Sequence, residues 1–495
     1  MMAVTDVNVL DRVISTFAPE WGLRRATARA LLGHYREYAA AGTGRRNKGW
    51  RGRGTSANNE VGGALRTLRN RSREFVRDSW AGQRILDVLV SHGVGTGILV
   101  VPNTGSDRAD KRFRLAWEEW WSLADVEGVM DFGAFQALGL RGMAEGGESV
   151  IRFVDIKPSE AGRTVPFRLL GLEGDQIDDS RDGAIDGSDV RLGVSLGEWG
   201  RRQGLYLWKE HPGEARLPTA PNGSTLTAWD DLCHLYRPLR FGQIRGITWF
   251  APILLTGREM QDLTEAAIVK ERTQASFAGF LKRPPGGISP LTATTNDSGQ
   301  KVTRIEPGMI ADIGEADIVF AQPSGQSSFG EAYVAGMRAM AAGAGITYDQ
   351  LTGDLTRANY SSLRAGKIEF RRMIEQIQWH IMGPRLCLPV ARRFVDRAMI
   401  AGVLPERREG YPVDLVMPAN EPIDPKKDLE ADILAVRSGR MSPQEFISAW
   451  GRDWRSVVAD FEAFLKTIDD AGVTLDIDPR KSAAQGAQDA KPVAE

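Results

Sequence analysis

The sequence predicts an α+β fold with more than one hydrophobic core. Its 495 residues exceed what one core usually supports, because domains rarely grow much past about 250 to 300 residues. Apolar residues recur at helical spacing through much of the chain, whereas residues 150 to 250 hold short β-branched runs between turn residues. Hydrophobic residues make up 42% and charged residues 26%, which is typical of a packed globular protein.

The N-terminal part is predicted to be mostly helical. WGLRRATARALLGHYREYAAA predicts a helix that stops at Gly42, and the basic, glycine-rich stretch GTGRRNKGWRGRGT predicts a loop. SANNEVGGALRTLRNRSREFVRDSWAGQRILDVLVSHG predicts one long helix that ends at Gly93, followed by a buried strand in GILVVPN. Two more helices, RFRLAWEEWWSLADV and DFGAFQALGLRGMAEG, precede a strand in ESVIRFVD.

Residues 258 to 346 predict a helix, a small β insertion and a second helix. The helix breakers PPGG, beginning at Pro284, end the first helix, and alternation around Pro307-Gly308 predicts a β-hairpin. In the second helix, Gly336 and Gly343 would each cost about 1 kcal/mol relative to alanine, which predicts close packing against a neighbour.

The last part is predicted to hold a long helix near 361 to 402 and a strand in YPVDLVMP. Two or three helices are predicted within 426 to 470, followed by a polar tail that is expected to be disordered.

Composition excludes several classes of protein. The formal net charge of −1 argues against a polycation that coats DNA nonspecifically, although residues 1 to 84 carry sixteen basic against seven acidic side chains, which predicts surfaces of opposite sign. No apolar run is long enough to cross a membrane and no signal peptide is recognised, so we expect an intracellular protein. Cys233 and Cys387 lack metal-site spacing and are predicted to be buried free thiols.

Motifs that carry chemistry are scarce. The five histidines form no zinc pattern, no phosphate-binding P-loop occurs, and GVGTG at Gly93 precedes a strand, which predicts a tight turn. The acidic run from Asp175 to Asp186 favours a solvated loop over a divalent-metal site, which stays open. Trp117, Trp120 and Trp121 lie on one helix, where a core or subunit contact is favoured over base stacking.

The stretch YDQLTGDLTRANYSSLRAGKIEFRR, residues 348 to 372, predicts a turn-rich loop joined to a partly cationic helix. One face of this helix is apolar, and beside it runs a basic stripe of Arg364, Lys367 and Arg371. A solvated face and a contact with a partner or a phosphate both remain open for this stripe.

Four colinear segments together resemble the lambda-type portal proteins of tailed bacteriophages. The closest resemblance is the stretch at 348 to 372. The others are RTLRNRSREFVRDSWAGQRILDVLVSHGVGTGI, HLYRPLRFGQIRGITWFAPIL and EPIDPKKDLEADILAVRSGRMSPQEFISAWGRD. They cover about residues 55 to 455.

The resemblance implies a portal fold with wing, stem, clip and crown, assembled as a ring of usually twelve subunits. The implied regions are 1–257 (N-terminal region and wing), 258–282 (first stem helix), 283–328 (clip), 329–346 (second stem helix), 347–362 (tunnel loop), 363–420 (long helix and wing return), 421–475 (helical crown) and 476–495 (disordered tail).

The resemblance also implies partners and site residues. Implied partners are further copies of the chain, double-stranded DNA, the terminase large subunit, the major capsid protein and head completion or connector proteins, with no membrane, cofactor, metal or catalysis. The location implied is the capsid vertex of the virion, after assembly in the host cytoplasm. Tunnel-loop contacts with DNA are expected from Arg357, Asn359 and Tyr360. Further channel or stripe residues are Lys270, Arg338, Arg364, Lys367 and Arg371, and clip docking residues are Lys282, Arg283, Lys301 and Arg304.

Two other functions compete with a portal ring. A metal-dependent DNA-processing enzyme would use the acidic run, with Asp175 and Asp178 as ligands. A monomeric DNA-binding adaptor would use the basic N-terminal loop.

Overall fold

A computed structural model gives the fold of most of the chain. It describes residues 16–21, 24, 45, 48–49, 52, 54–215, 223–276, 280–282, 294–295, 301–302, 317–319, 329–356 and 359–473. The chain divides into two compact units, Met1–Ser56 and Ala57–Glu495, and the elements below belong to the second. Most of the helix predicted before Gly42 and the predicted disordered tail lie outside the described residues.

Helices and strands alternate along the second unit. The helices are α1 (Ala57–Asp78), α2 (Trp80–Gly93), α3 (Asp107–Trp121), α4 (Phe132–Gly146), α5 (Pro158–Ala161), α6 (Leu254–Ser276), α7 (Phe329–Ala344), α8 (Tyr348–Thr352), α9 (Tyr360–Ile377), a π-helix (Gln378–Cys387), α10 (Leu388–Ile400), α11 (Pro425–Arg437), α12 (Pro443–Ser448) and α13 (Trp454–Ala471). The strands are β1 (Leu99–Pro102), β2 (Glu148–Asp155), β3 (Phe167–Glu173), β4 (Gly183–Ile185), β5 (Ser188–Arg191), β6 (Val194–Leu196), β7 (Arg202–Leu207), β8 (Thr225–Ala228), β9 (Leu232–Tyr236), β10 (Phe280–Lys282), β11 (Thr294–Thr295), β12 (Lys301–Val302), β13 (Asp317–Val319) and β14 (Val413–Val416). The predicted α+β class is confirmed.

The single long helix predicted to end at Gly93 is in fact two helices, α1 and α2, so that prediction was wrong at the point where they separate. Ser79 has extended backbone angles, φ −120° and ψ 124°, and separates α1 from α2. Aspartate and serine compete with helical hydrogen bonds in a helix interior, which favours a break at Asp78-Ser79. A Cβ on Gly82 would lie 2.9 Å from the Phe75 carbonyl oxygen, so glycine lets the two helices meet closely.

The strands between 148 and 236 form two antiparallel sheets. One has the order β3-β2-β9 and the other is a five-stranded meander, β4-β5-β6-β7-β8. A small apolar core that includes Val150, Val194 and Leu205 lies between them. A separate pair joins β1 to β14, so a strand from near residue 100 pairs with one more than 300 residues later. The sequence indicated short strands over residues 150 to 250 and individual strands at β1, β2 and β14, but it indicated none of the partners.

The main apolar core contains side chains of helices α1 to α4 and of the long helix formed by α9, the π-helix and α10. Trp120, fully buried, stacks on Phe167 at 5.4 Å between ring centroids, and Trp117 meets Phe394 edge to face at 4.8 Å. The prediction of a core role for this tryptophan cluster is confirmed. Cys233 and Cys387 are both buried free thiols, as predicted. Among the described helices, none combines the length and apolarity needed to cross a membrane.

Helix α7 packs its glycines against α6 and against Ile253, which directly precedes α6. A Cβ added to Gly336 would lie 2.1 Å from Met260 Sδ, and one on Gly343 would lie 2.4 Å from Ile253 Cγ2. The predicted close packing at these glycines is therefore confirmed, and the neighbour is a helix of the same chain.

The β insertion between these helices differs from the prediction. Helix α6 ends at Ser276 rather than near residue 282, because Phe280–Lys282 forms strand β10 and pairs with β13. Strand β12 pairs with β11, which precedes it, and not with β13 across Pro307-Gly308. The predicted Pro307-Gly308 turn itself lies outside the described residues.

The long helix near residue 380 is continuous but not uniformly α. Between α9 and α10 the backbone widens into a ten-residue π-helix that contains Pro384. Proline in an α-helix clashes with the carbonyl four residues earlier, and the wider π turn relieves that contact. The N–H of Leu388 donates to the carbonyl of Gly383, five residues earlier. After β14, the predicted C-terminal helices are present as α11, α12 and α13.

Candidate functional site

The segment from 347 to 362 begins on a short, well-capped helix rather than in the predicted turn. Thr347 and Gln350 form a capping box at the start of α8, and Gly353 ends the helix with a left-handed φ of 71°. Leu351 is buried, and Arg84 Nε of α2 donates to the Gln350 carbonyl at 2.8 Å. The first half of the segment is thus fixed to the body of the protein.

The second half of the segment begins helix α9. The side chain of Asn359 accepts a hydrogen bond from the Ser362 N–H at 2.8 Å, which caps the helix. Between the two helices, Asp354 accepts from the Thr356 hydroxyl at 2.6 Å and stabilises a tight turn. The connection is therefore short and held at both ends.

The three predicted tunnel-loop residues have different surroundings. Arg357 lies outside the described residues. Asn359 has its side-chain oxygen engaged in the helix cap, so it positions the loop. Tyr360 is 46% exposed, and its hydroxyl accepts from Arg364 Nη1 at 3.2 Å. The Tyr360 ring is consequently available on the surface with its hydroxyl held.

The basic stripe on α9 contacts the C-terminal segment of the same chain. Arg364 forms an ion pair with Asp428 at 3.2 Å, and Arg371 donates to the Glu421 carbonyl. Lys367 is half-buried on the same side of the helix. Burial, followed by the positive charges of Arg371 and Lys367, lowers the pKa of His92. The stripe thus attaches the start of the C-terminal helices to α9.

The other predicted basic residues fall on helices α6 and α7 and on the insertion between them. Lys270 is exposed on α6. Arg338 of α7 is exposed, and its guanidinium lies 5.6 Å from the centroid of the Tyr348 ring, which connects α7 to the start of the 347 to 362 segment. Lys282 and Lys301 belong to strands β10 and β12, whereas Arg283 and Arg304 lie outside the described residues.

The acidic run at 173 to 186 is bonded to arginines of α1. Asp175 contacts Arg69 at 3.3 Å and Arg73 at 2.6 Å, and Asp179 pairs with Arg66. Burial alone would raise the pKa of Asp175, but the charges of Arg69 and Arg73 outweigh it and lower that pKa. Basic and acidic side chains that are separated along the sequence are thus partly paired in the fold. The sequence did not indicate this pairing.

The same acidic run gives little support to a metal site. Asp178 accepts from the hydroxyls of Ser180 and Ser224, each at 2.5 Å. Among the described residues, the group whose geometry could hold a metal ion is Glu173, Asp175 and His211. Arg73 contacts both of these carboxylates, so a cation would compete with a guanidinium that already neutralises them.

A buried charge cluster centred on Glu148 was missed by the sequence analysis. Arg69 Nη2 lies 2.6 Å from the Glu148 carboxylate, Arg245 Nε donates to it at 2.9 Å, and His234 Nε2 lies 3.0 Å away. Burial would raise the pKa of Glu148, but the charge of Arg245 and the bonds to its partners hold that pKa well below its ordinary value. These residues are far apart in sequence and share no motif, so only the fold brings them together.

Comparison with known proteins decides the family. The model of the family described as phage portal protein, lambda family, matches residues 43–378, more than half of the chain. The chain belongs to the lambda family of phage portal proteins. The matched region contains helices α6 and α7 and the segment from 347 to 362, and the resemblance inferred from the sequence is confirmed.

A relative from a phage agrees with this portal assignment. The chain is 26% identical over 443 residues to a probable portal protein of Halomonas phage phiHAP-1, and the match covers 84% of each chain. Solved structures with lower similarity include the virion of a native gene transfer agent particle, with 14% identity, 78% and 93% of the two chains covered and a TM-score of 0.44. The neck of the native particle computed with C12 symmetry gives 15% identity, 79% and 92% coverage and a TM-score of 0.39.

Proposed function

We propose that this portal chain assembles into a ring, usually of twelve subunits, at one capsid vertex, and that double-stranded DNA passes through the ring during packaging and ejection. The observation that carries the proposal is the family match over residues 43–378. It is supported by the paired helices α6 and α7, with β10 and β13 pairing between them. Such a helix pair with a β insertion between its members suits a stem with a clip at its end.

The segment from 347 to 362 suits the lining of such a channel. A channel that lets DNA slide cannot rely on base readout, so weak contacts with phosphates are what it can use. The short helix α8 and the cap at Asn359 hold the loop at both ends. Tyr360 is exposed beside it, and Arg357 lies within the same connection. We assign DNA contact to Arg357 and Tyr360, and loop positioning to Asn359.

The remaining basic residues have two roles under this proposal. Lys270 and Arg338 are exposed on the stem helices and suit weak phosphate contact. Arg364 and Arg371 attach the C-terminal helices to α9 within one subunit, so their DNA role is secondary. Lys282, Arg283, Lys301 and Arg304 belong to the insertion, where docking of the terminase large subunit and later of head completion or connector proteins is proposed.

A structural role in the virion requires no catalysis, metal or cofactor. The protein would assemble in the host cytoplasm and then lie against the major capsid protein. The competing metal-dependent enzyme is disfavoured because Asp175 and Asp178 are already bonded to arginine and serine side chains. A monomeric adaptor is separated from a ring by the mass of the purified protein.

The test of function is DNA packaging by assembled portals that carry loop substitutions. Arg357→Gln and Tyr360→Ala should lower the amount of nuclease-protected DNA per particle while rings still assemble, because each removes a proposed DNA contact and Tyr360 is an exposed side chain. Tyr360→Phe, which keeps the ring, and Arg408→Gln, at an exposed position outside the segment, are the controls. Normal packaging by both loop variants would overturn the assignment of these residues.

A further inference from the structure

A cavity of about 610 Å³ lies between strand β9 and the start of α10. Four arginines line it, Arg202, Arg385, Arg392 and Arg393, together with Asp230 and Asp396. None of these residues belongs to the segment from 347 to 362. The cavity is therefore separate from the proposed channel lining, and it holds four arginines against two aspartates.

Most of this charge has no carboxylate partner. Arg393 pairs with Asp155 at 3.0 Å and with Asp231 at 3.1 Å. Arg202, Arg385 and Arg392 form no ion pair with a carboxylate in the described part of the chain. Asp230 and Asp396 line the cavity but form no ion pair with these three arginines in the described part of the chain. Holding guanidinium groups in a cavity without paired carboxylates is unfavourable unless an anion shares the site.

Two of the guanidinium groups are held in place by one aromatic ring. Arg202 and Arg385 lie 5.5 Å and 5.1 Å from the centroid of the Tyr236 ring. Arg385 Nη1 also donates to the Tyr236 carbonyl at 2.9 Å, and Arg202 Nη2 donates to the Gln243 carbonyl at 3.2 Å. Burial, reinforced by the like charge of Arg202, lowers the pKa of Arg385. The two cations are thus both held against the Tyr236 ring.

Buried hydrogen-bond donors that lack an acceptor also favour an anion site in this cavity. The Nε atoms of Arg202 and Arg393 are buried, and no group of the described residues accepts from either. A buried donor without an acceptor costs stability, and arginine forks match the oxygens of a phosphate. A single carboxylate has two oxygens, too few for the three guanidinium groups that lack an ion pair, whereas a phosphate offers more acceptors.

We propose that this cavity binds the phosphate group of a small molecule, with Arg202 and Arg385 as the main contacts and Arg392 at the rim. Trp229, whose ring lies 5.6 Å from Arg202, also lines the cavity and offers a flat surface to a ligand that carries a base. Free phosphate and a mononucleotide share this chemistry, and the two sources differ in whether the Trp229 ring adds affinity.

The test uses the full chain and titration calorimetry in a chloride buffer, with inorganic phosphate and deoxyadenosine monophosphate as separate probes. We expect saturable binding of at least one probe. Arg385→Gln should weaken it about tenfold or more, as expected for a lost charge-assisted hydrogen bond. Tighter binding of the mononucleotide would identify a nucleotide site, and equal binding a phosphate site.

Charge variants at the rim provide the matched controls. Arg392 makes no hydrogen bond within the described residues, so Arg392→Gln tests the site even if Arg385→Gln does not fold. Arg392→Gln should weaken binding and Asp396→Asn should strengthen it, whereas Arg408→Gln, outside the cavity, should leave it unchanged. Absence of binding by both probes, or identical affinity in all variants, would overturn the proposal. If the unmodified chain binds neither probe and Arg392→Gln fails to assemble, the arginines contact a neighbouring subunit instead. That result would also overturn the proposal.

Discussion

At the scale of single residues, Glu148 connects three parts of the fold. Its fully buried carboxylate contacts Arg69 of α1, His234 of β9 and Arg245 from the segment after β9. Removing one partner of a buried ionic group leaves the others uncompensated, and this is far costlier than losing an exposed pair. Glu148 therefore stabilises the attachment of α1 to the three-stranded sheet.

Glu148→Gln should destabilise the protein strongly. It leaves the buried Arg245 without a counter-charge and Arg69 with Asp175 alone, and we expect a loss of about 3 to 5 kcal/mol in the free energy of unfolding. Asp87→Asn is the matched control, since Asp87 pairs with Arg141 near the surface at 3.4 Å, and such pairs contribute about 1 kcal/mol or less. Urea unfolding monitored by tryptophan fluorescence measures both. Equal, small shifts of the two midpoints would contradict the role of Glu148.

His234 should make stability depend on pH in the mildly acidic range. Burial lowers its pKa and outweighs the hydrogen bond with Glu148, so the folded chain keeps the ring neutral where the unfolded chain takes up a proton. The unfolded state then binds more protons, and stability falls as pH drops below about 6.5. The pKa of His92 is also lowered, chiefly by burial, and contributes in the same direction.

The check is the thermal midpoint of unfolding at several pH values from 7 to 5. His234→Gln keeps a donor for Glu148 but cannot titrate, so the fall in midpoint should be smaller in this variant than in the unmodified chain. An unchanged or steeper fall in His234→Gln would contradict this account.

At the scale of elements, the apolar periodicity of the sequence predicted the positions of several helices and strands. Helix α4 and strand β2 lie where apolar spacing placed them, whereas α3 begins and ends five residues before the predicted stretch RFRLAWEEWWSLADV. The break at Ser79 and the end of α6 at Ser276 were missed, because the helical pattern continues through both and the tertiary contacts of Gly82 and β10 decide them. The basic stripe on α9 was identified as a pattern, but its contacts with Asp428 and Glu421 depend on the path of the chain 50 to 64 residues later.

Close packing of α6 against α7 makes a specific glycine necessary. Gly343→Ala would place a Cβ 2.4 Å from the branched side chain of the buried Ile253, and we expect a destabilisation of about 1 to 3 kcal/mol from overpacking. Gly330→Ala in the same helix meets nothing within 4 Å and should stabilise the chain by up to about 1 kcal/mol through helix propensity. Thermal unfolding of the two variants measures this difference, and equal effects in both would rule out the packing explanation.

At the scale of the whole molecule, colinear sequence blocks indicated the family before any contact was known. The family match over residues 43–378 confirms that prediction. Long-range charge pairing could not be predicted, because Arg69 and Arg73 lie about a hundred residues before Glu173 and Asp175. The cavity with four arginines depends on the same kind of contact, since Arg202 and Arg385 are distant in sequence and meet only at Tyr236.

The central claim, that the chain forms a portal ring, is tested most directly by negative-stain electron microscopy of the purified protein. We expect rings with a central hole, usually of twelve subunits, over a range of protein concentrations and at several salt concentrations. Particles of monomer size under all of these conditions would contradict the claim.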